Sequence, residues 1–163
     1  MKIFIDTFSW FKIDLLVSTS YIDLAALYQE LELCITHDVL EELQNRKIKS
    51  CQISKLQVYP IGNKRIYDDA ITQDFDKADA SLLSNGSRNG DVLLVSEDQP
   101  LLELGKSYRF DCIQLIDFCR ILTALNILTK RKLFQVNREL RRLGNISKKK
   151  EREMKQHLQQ MKW

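Results

Sequence analysis

The chain has 163 residues, 44% of them hydrophobic and 29% charged, which is ordinary globular material, long enough for one sizeable core and short for two. No stretch approaches the roughly 18 apolar residues that a membrane span requires, so a soluble, cytoplasmic protein without a membrane partner is expected. The formal net charge of +3 conceals an asymmetry: residues 130–163 hold 12 Lys and Arg against 3 acids, or +9, and the remaining 13 basic and 19 acidic residues leave −6 for residues 1–129. An acidic body with a basic appendage points to a polyanionic partner.

Lys2 to Asp6 opens the chain as an apolar strand ending in an acid. Ile22, Leu24, Ala25, Leu27, Tyr28 and Leu31 recur at helical spacing and place an amphipathic helix before a short strand at Leu33 to Thr36. His37 to Lys47 carries Val39, Leu40 and Leu43 on one helical face, with Thr36 or Asp38 as the cap of its first turn. Leu56 to Ile61 reads as a third strand, and a helix beginning at Asp74 turns Ala78, Leu82 and Leu83 inward. Gly86, Asn89 and Gly90 break the chain before Val92-Leu93-Leu94-Val95, the continuous apolar run that suits a parallel strand covered on both faces. Pro100 belongs in the first turn of the following helix. A last strand near Asp111 to Leu115 leads into a helix through Phe118, Leu122 and Leu125, and the basic tail forms two helical segments parted at Gly144 and Asn145. Strands and helices alternating in this way form βαβ units and a mainly parallel sheet.

Cys34, Cys51, Cys112 and Cys119 form no C-x-x-C pair, and His37 and His157 lie far apart, which argues against zinc and disulfide scaffolds. Buried structural thiols are expected at Cys34, Cys112 and Cys119. The acids are more informative, because the active crevice of an open parallel sheet lies beyond the carboxyl ends of its strands. Asp6 directly ends the first strand, and Asp98 follows Val95 with only Ser96 and Glu97 between. Glu41 and Glu42 lie on the helix after the second strand, and Asp76 and Asp79 sit one turn apart near Asp74. Taken singly, Asp74 and Asp76 suit a helix N-terminus and Glu41 a solvated surface.

As a set these positions resemble the PIN-domain family. Its apolar strand ending in Asp-Thr is matched by Phe4-Ile5-Asp6-Thr7, and its threonine followed by Val-Leu-x-Glu-Leu by Thr36 and Val39-Leu40-Glu41-Glu42-Leu43. Its helical Asp-Ala is matched by Asp79-Ala80-Ser81-Leu82-Leu83. Its apolar strand running into Ser-x-Asp is matched by Leu93-Leu94-Val95-Ser96-Glu97-Asp98, with Leu101 or Leu102 beyond. The match covers roughly residues 1–120 in the family's order, while residues 12–23 and the basic tail lie outside the pattern.

The resemblance implies a three-layer α/β/α fold around a mainly parallel sheet of about five strands, to which the helical pattern of the tail adds a C-terminal extension. The expected division is a PIN-like nuclease domain over residues 1–129 and the basic extension over 130–163. It also implies a Mg²⁺- or Mn²⁺-dependent endoribonuclease that hydrolyses phosphodiester bonds with metal-activated water, with Asp6, Glu42, Asp79 and Asp98 as catalytic metal ligands. Glu42, directly before Leu43, is favoured over Glu41, and Asp76 is a second candidate beside Asp79. Thr7 and Ser96 either orient a ligand or phosphate by hydrogen bonds or cap local turns.

In the tail, Lys130, Arg131, Lys132, Arg138, Arg141, Arg142, Lys148, Lys149 and Lys150 are candidate phosphate contacts. Leu133, Val136, Leu140, Leu143 and Ile146 form an apolar stripe able to pack on the body or on a partner. RNA is the expected substrate, with DNA open as well. The family's small members also imply an antitoxin protein as partner or an RNA-processing role, and homodimers. Other phosphoryl-transfer folds fit less well: a haloacid-dehalogenase-like phosphatase needs a second Asp where Phe8 stands, and a response-regulator receiver needs an acceptor Asp where Tyr59-Pro60 follows the third strand. The glycines lack the spacing of a dinucleotide or phosphate-binding loop. The competing reading from another class is a catalytically inactive PIN-like module that binds RNA or protein without cutting.

Overall fold

The computed structural model describes residues 1–46, 48, 54–144, 147, 149, 152, 153 and 156. Among them the order is β1 (Lys2–Ile5), α1 (Thr7–Ser18), α2 (Leu24–Glu30), β2 (Glu32–Thr36), α3 (His37–Asn45), β3 (Gln57–Tyr59), α4 (Lys64–Thr72), α5 (Lys77–Ser84), β4 (Val92–Val95), α6 (Gln99–Ser107), β5 (Asp111–Ile113), α7 (Leu115–Ala124) and α8 (Lys130–Arg142). The five strands form one parallel sheet in the order β3-β2-β1-β4-β5, the centre of a three-layer α/β/α fold. Ile3, Phe4, Ile5 and Val92 to Val95 are all buried in the central strands β1 and β4. Burial on both faces is why each reads as an unbroken apolar run. Among the described residues no helix is long and apolar enough to cross a membrane.

Two helices have no counterpart in the hydrophobic periodicity. α1 starts directly after Asp6 and buries Trp10, Ile13 and Leu16, yet Phe8 and Phe11 stand exposed on its other side, so no polar face marks it as amphipathic. α4 is short and mostly exposed, with Ala70 alone buried along it. The helix expected from Asp74 begins at Lys77 instead. Asp74 holds a left-handed φ of 64° in the turn between α4 and α5, a conformation outside any helix. Asp76 is the N-cap, accepting from the Asp79 amide at 2.9 Å.

Elsewhere the expected elements stand with small changes of boundary. Thr36, not Asp38, caps α3. Ala78, Leu82 and Leu83 are buried on α5, and Pro100 opens α6. Leu133, Val136 and Leu140 of α8 join the same apolar core as the sheet, with α8 packed on α7, while Leu143 is exposed. Gly144 takes a left-handed φ of 78° just past α8, as a helix C-terminus favours. Lys47, Cys51, Asn145, Ile146, Lys148, Lys150 and His157 lie outside the described residues.

α6 approaches β5 closely at Gly105, where a Cβ would come within 2.4 Å of Cys112 Sγ. Because Asp98 caps α6, this contact helps set where that acid stands. Gly105→Ala is expected to lower stability by about 1–3 kcal/mol, overriding the gain of about 1 kcal/mol in helix propensity, and to appear as a lower melting temperature.

Candidate metal centre

From β1 the chain winds outward through β2 to β3, then returns to β4 and winds the other way to β5. The reversal falls between β1 and β4, whose carboxyl ends therefore border the crevice where open α/β sheets bind ligands. Ile5 lies in register with Val95, so Asp6 and Ser96 leave the sheet side by side. Phe4 is level with Cys34, which brings Thr36 and the start of α3 to the same edge.

Asp6 is only 4% exposed and is the N-cap of α1. Its Oδ1 accepts from the Ser9 amide at 2.6 Å, and its Oδ2 accepts from Ser96 Oγ at 2.5 Å and the Glu97 amide at 3.3 Å. Three donors on one carboxylate offset the cost of burying its charge. Ser96 Oγ accepts in turn from the Asp98 amide at 2.9 Å, and Asp98 Oδ1 accepts from the Leu101 amide at 2.8 Å. Ser96 thus links the acids that end the two central strands. Thr7 Oγ1 donates to Glu42 Oε2 at 2.6 Å, and Glu42 is half-buried whereas Glu41 is exposed. Both hydroxyls that the sequence left between ligand orientation and turn capping therefore reach a carboxylate of the candidate set.

Asp79 stands in the first turn of α5, half-buried. Its carboxyl is pushed up to about 8, first by burial and then by the negative charges of Asp76, Asp6, Asp98 and Glu42. Besides its neighbour Asp76, acids from three other stretches of the chain thus act on one residue. The helix that carries it is tied to β2 by Thr36 Oγ1 and Ser81 Oγ at 2.6 Å. Ser81 spends its own proton on the Ala78 carbonyl at 2.8 Å, so Thr36 is the donor of that bond.

The donor set fits a hard divalent cation, since it consists of carboxylate oxygens whose mutual repulsion a positive ion would relieve. Among the described residues no three acidic, His or Cys side chains already form a group that could hold an ion. Hydrogen bonds instead occupy Asp6, Glu42 and Asp98. Cys34, Cys112 and Cys119 are buried, with thiols pushed by burial up to about 11, 11 and 12, and contribute no thiolate.

Glu97 was not singled out by the sequence, and its role lies elsewhere. Its Oε2 meets Lys12 Nζ at 3.3 Å, and its Oε1 accepts from the Leu115 amide at 2.9 Å, so it pins the β4–α6 loop to α1 and to α7. Partners 85 and 18 residues away leave no local signal. In the tail, Arg131 and Arg138 are exposed, as is Lys149, while Arg142 pairs with Glu139 at 2.6 Å. Lys130, Lys132 and Arg141 are half-buried.

Ser96 is fully buried between Asp6 and the Asp98 amide. Ser96→Ala is expected to cost about 1–3 kcal/mol of stability and to weaken Mn²⁺ binding roughly 10- to 100-fold, readable by melting and by calorimetric titration. Unchanged Mn²⁺ affinity would remove Ser96 from the centre. Comparison with protein-family models and with curated proteins gives no match to the chain.

Proposed function

We propose that the chain is a Mg²⁺- or Mn²⁺-dependent endoribonuclease of PIN-domain type, with Asp6, Glu42, Asp79 and Asp98 as metal ligands. The observation that carries this reading is the convergence of acids from β1, α3, α5 and the β4–α6 loop on Asp79, whose carboxyl they and its burial raise to about 8. The resemblance of the four matched segments to the PIN pattern supports the same assignment. When bound, the ion supplies an acidified water and positive charge at the phosphate and the leaving oxygen.

The chain's own residues hold and orient. Ser96, the Ser9 amide and the Glu97 amide hold Asp6 at the end of β1, and Thr7 holds Glu42, which limits the orientations either carboxylate can take. Asp79 surrenders its proton as the site loads, which makes ion uptake easier as pH rises towards about 8. Asp76, committed through Oδ1 to the Asp79 amide, adds negative charge from one turn away. The exposed Arg131 and Arg138 of α8 offer sequence-independent phosphate contacts to a substrate that an acidic crevice alone would repel.

The test is cleavage of labelled RNA by the full chain with Mn²⁺ or Mg²⁺, with EDTA as control and calorimetric titration of the ion in parallel. Metal-dependent cutting is expected. Neither cutting nor ion binding would overturn the reading, and ion-independent RNA binding without cutting would favour the inactive-module alternative.

A further inference from the structure

A polar cavity lies at the opposite edge of the sheet from the acids. Arg88 precedes β4 and Tyr108 precedes β5, so both stand at the amino ends of those strands, whereas Asp6 and Asp98 follow carboxyl ends. The four residues of β4 put roughly 13 Å between the two edges. Asn63, Arg65, Ile66 and Asp69, from α4 and its cap, join Arg88 and Tyr108 around a cavity of about 530 Å³, a size that suits a small organic molecule. Arg88 Nε donates to the Tyr108 carbonyl at 2.9 Å, a neutral acceptor that leaves the guanidinium charge unpaired among the described residues. Arg65 has no side-chain partner among them. Asp69 accepts from the Tyr108 hydroxyl and from Gln73 Nε2, the latter at 3.2 Å, both on Oδ2, so Oδ1 stays open. Asn63 spends its Oδ1 on the Arg65 and Ile66 amides at 3.0 and 3.3 Å, so the cap already takes those amides and the attraction for an anion comes from the two arginines.

We infer that this cavity binds a sugar carrying a phosphate monoester, as in a sugar phosphate or a nucleotide, at a site separate from the candidate metal centre and independent of the nuclease reading. Arg65 and Arg88 take the phosphate, and Asp69 Oδ1 accepts from a sugar hydroxyl. Two guanidiniums from separate segments, each with unspent N–H donors, suit the several oxygens of a dianionic phosphate. A bare anion would gain nothing from Asp69 and be repelled by it. A hydroxyl next to the phosphate turns the same carboxylate into a partner, because an ionised acid only accepts. The Tyr108 ring, half-buried and 5.5 Å from that of Phe110, offers the sugar or its base a flat apolar wall.

The test is calorimetric titration of the full chain with ribose 5-phosphate, ribose and inorganic phosphate, in EDTA so that no metal ion meets the phosphate. Ribose 5-phosphate is expected to bind about 10-fold more tightly than inorganic phosphate, and ribose not to bind. Arg65→Gln removes a side chain with no partner to lose, so it should stay folded by circular dichroism and weaken ribose 5-phosphate about 10-fold or more. Adding Arg88→Gln should abolish binding. Asp69→Asn should bring the two phosphates to equal affinity, weakening the sugar phosphate and strengthening the bare ion. No binding of ribose 5-phosphate, binding that Arg65→Gln leaves unchanged, or inorganic phosphate bound as tightly by the wild type each overturns the inference. Competition by an RNA of about ten nucleotides with a 5′-phosphate would place the monoester at a strand end, and its failure to compete would leave a free small molecule as the ligand. The same strand without that phosphate, competing equally well, would reduce the cavity to a backbone contact and overturn the assignment.

Discussion

Asp6→Asn is expected to lower kcat on RNA by at least about 100-fold, the equivalent of about 3 kcal/mol of charge stabilisation withdrawn from the transition state. The substitution keeps the shape of a side chain that is 4% exposed and can still accept from the Ser9 amide. An amide nitrogen in place of Oδ2 faces two donors, Ser96 Oγ and the Glu97 amide, and only the hydroxyl can turn to accept. The structural penalty should therefore stay near 1–2 kcal/mol, too little to account for such a loss of activity in a protein that remains folded. EDTA should produce the same loss in the wild type, and Mn²⁺ should raise the melting temperature of the wild type but not of the variant. An Asp6→Asn protein that cuts as fast as the wild type would end the metal-ligand assignment.

The second large effect runs the other way for stability. Asp79 titrates near 8 in the folded chain against about 3.8 in an unfolded one, so between about pH 4 and about pH 8 the folded state keeps a proton that the unfolded state has released. Folding is then penalised increasingly as pH rises, with no penalty below about pH 4 and the full penalty above about pH 8. Metal-free protein should lose melting temperature across that window. Asp79→Asn removes the proton linkage and should stabilise the metal-free fold at neutral pH by something on the order of 2 kcal/mol while abolishing Mn²⁺ binding. In the wild type, the rise in melting temperature that Mn²⁺ produces should grow with pH until Asp79 is ionised. Melting curves in EDTA and in Mn²⁺ at several pH values check both halves, and a metal-free fold indifferent to pH in this range would contradict the crowding of charge at Asp79.

Asp6 and Asp98 were legible in the sequence because each follows an apolar run that only a strand buried on both faces tolerates, and the ends of such strands border the crevice. Asp79 was legible as helical, but the start of its helix was misplaced at Asp74. The cause is the turn between α4 and α5, where Asp74 sits at positive φ and Asp76 does the capping. α1 was missed because its two faces are apolar for different reasons, Trp10, Ile13 and Leu16 packing inward while Phe8 and Phe11 remain outside. Periodicity detects contrast between faces and fails where there is none. The hydrogen bonds from Thr7 to Glu42 and from Ser96 to Asp6 span 35 and 90 residues, distances at which only the register of the sheet decides who meets whom.

The place of β4 in the sheet also governs when the centre comes into being. As the chain leaves the ribosome, Asp6, Glu42 and Asp79 are all synthesised before the strand that must dock beside β1. Until β4 docks, β1 lacks its neighbour on that side, Asp6 lacks Ser96, and Asp98 has no fixed position. Pairing across so much intervening chain is late and slow compared with the closing of local helices. On the proposed nuclease reading, a chain assembled in this order is inert until β4 has been made and docked, when about three fifths of the chain has been synthesised.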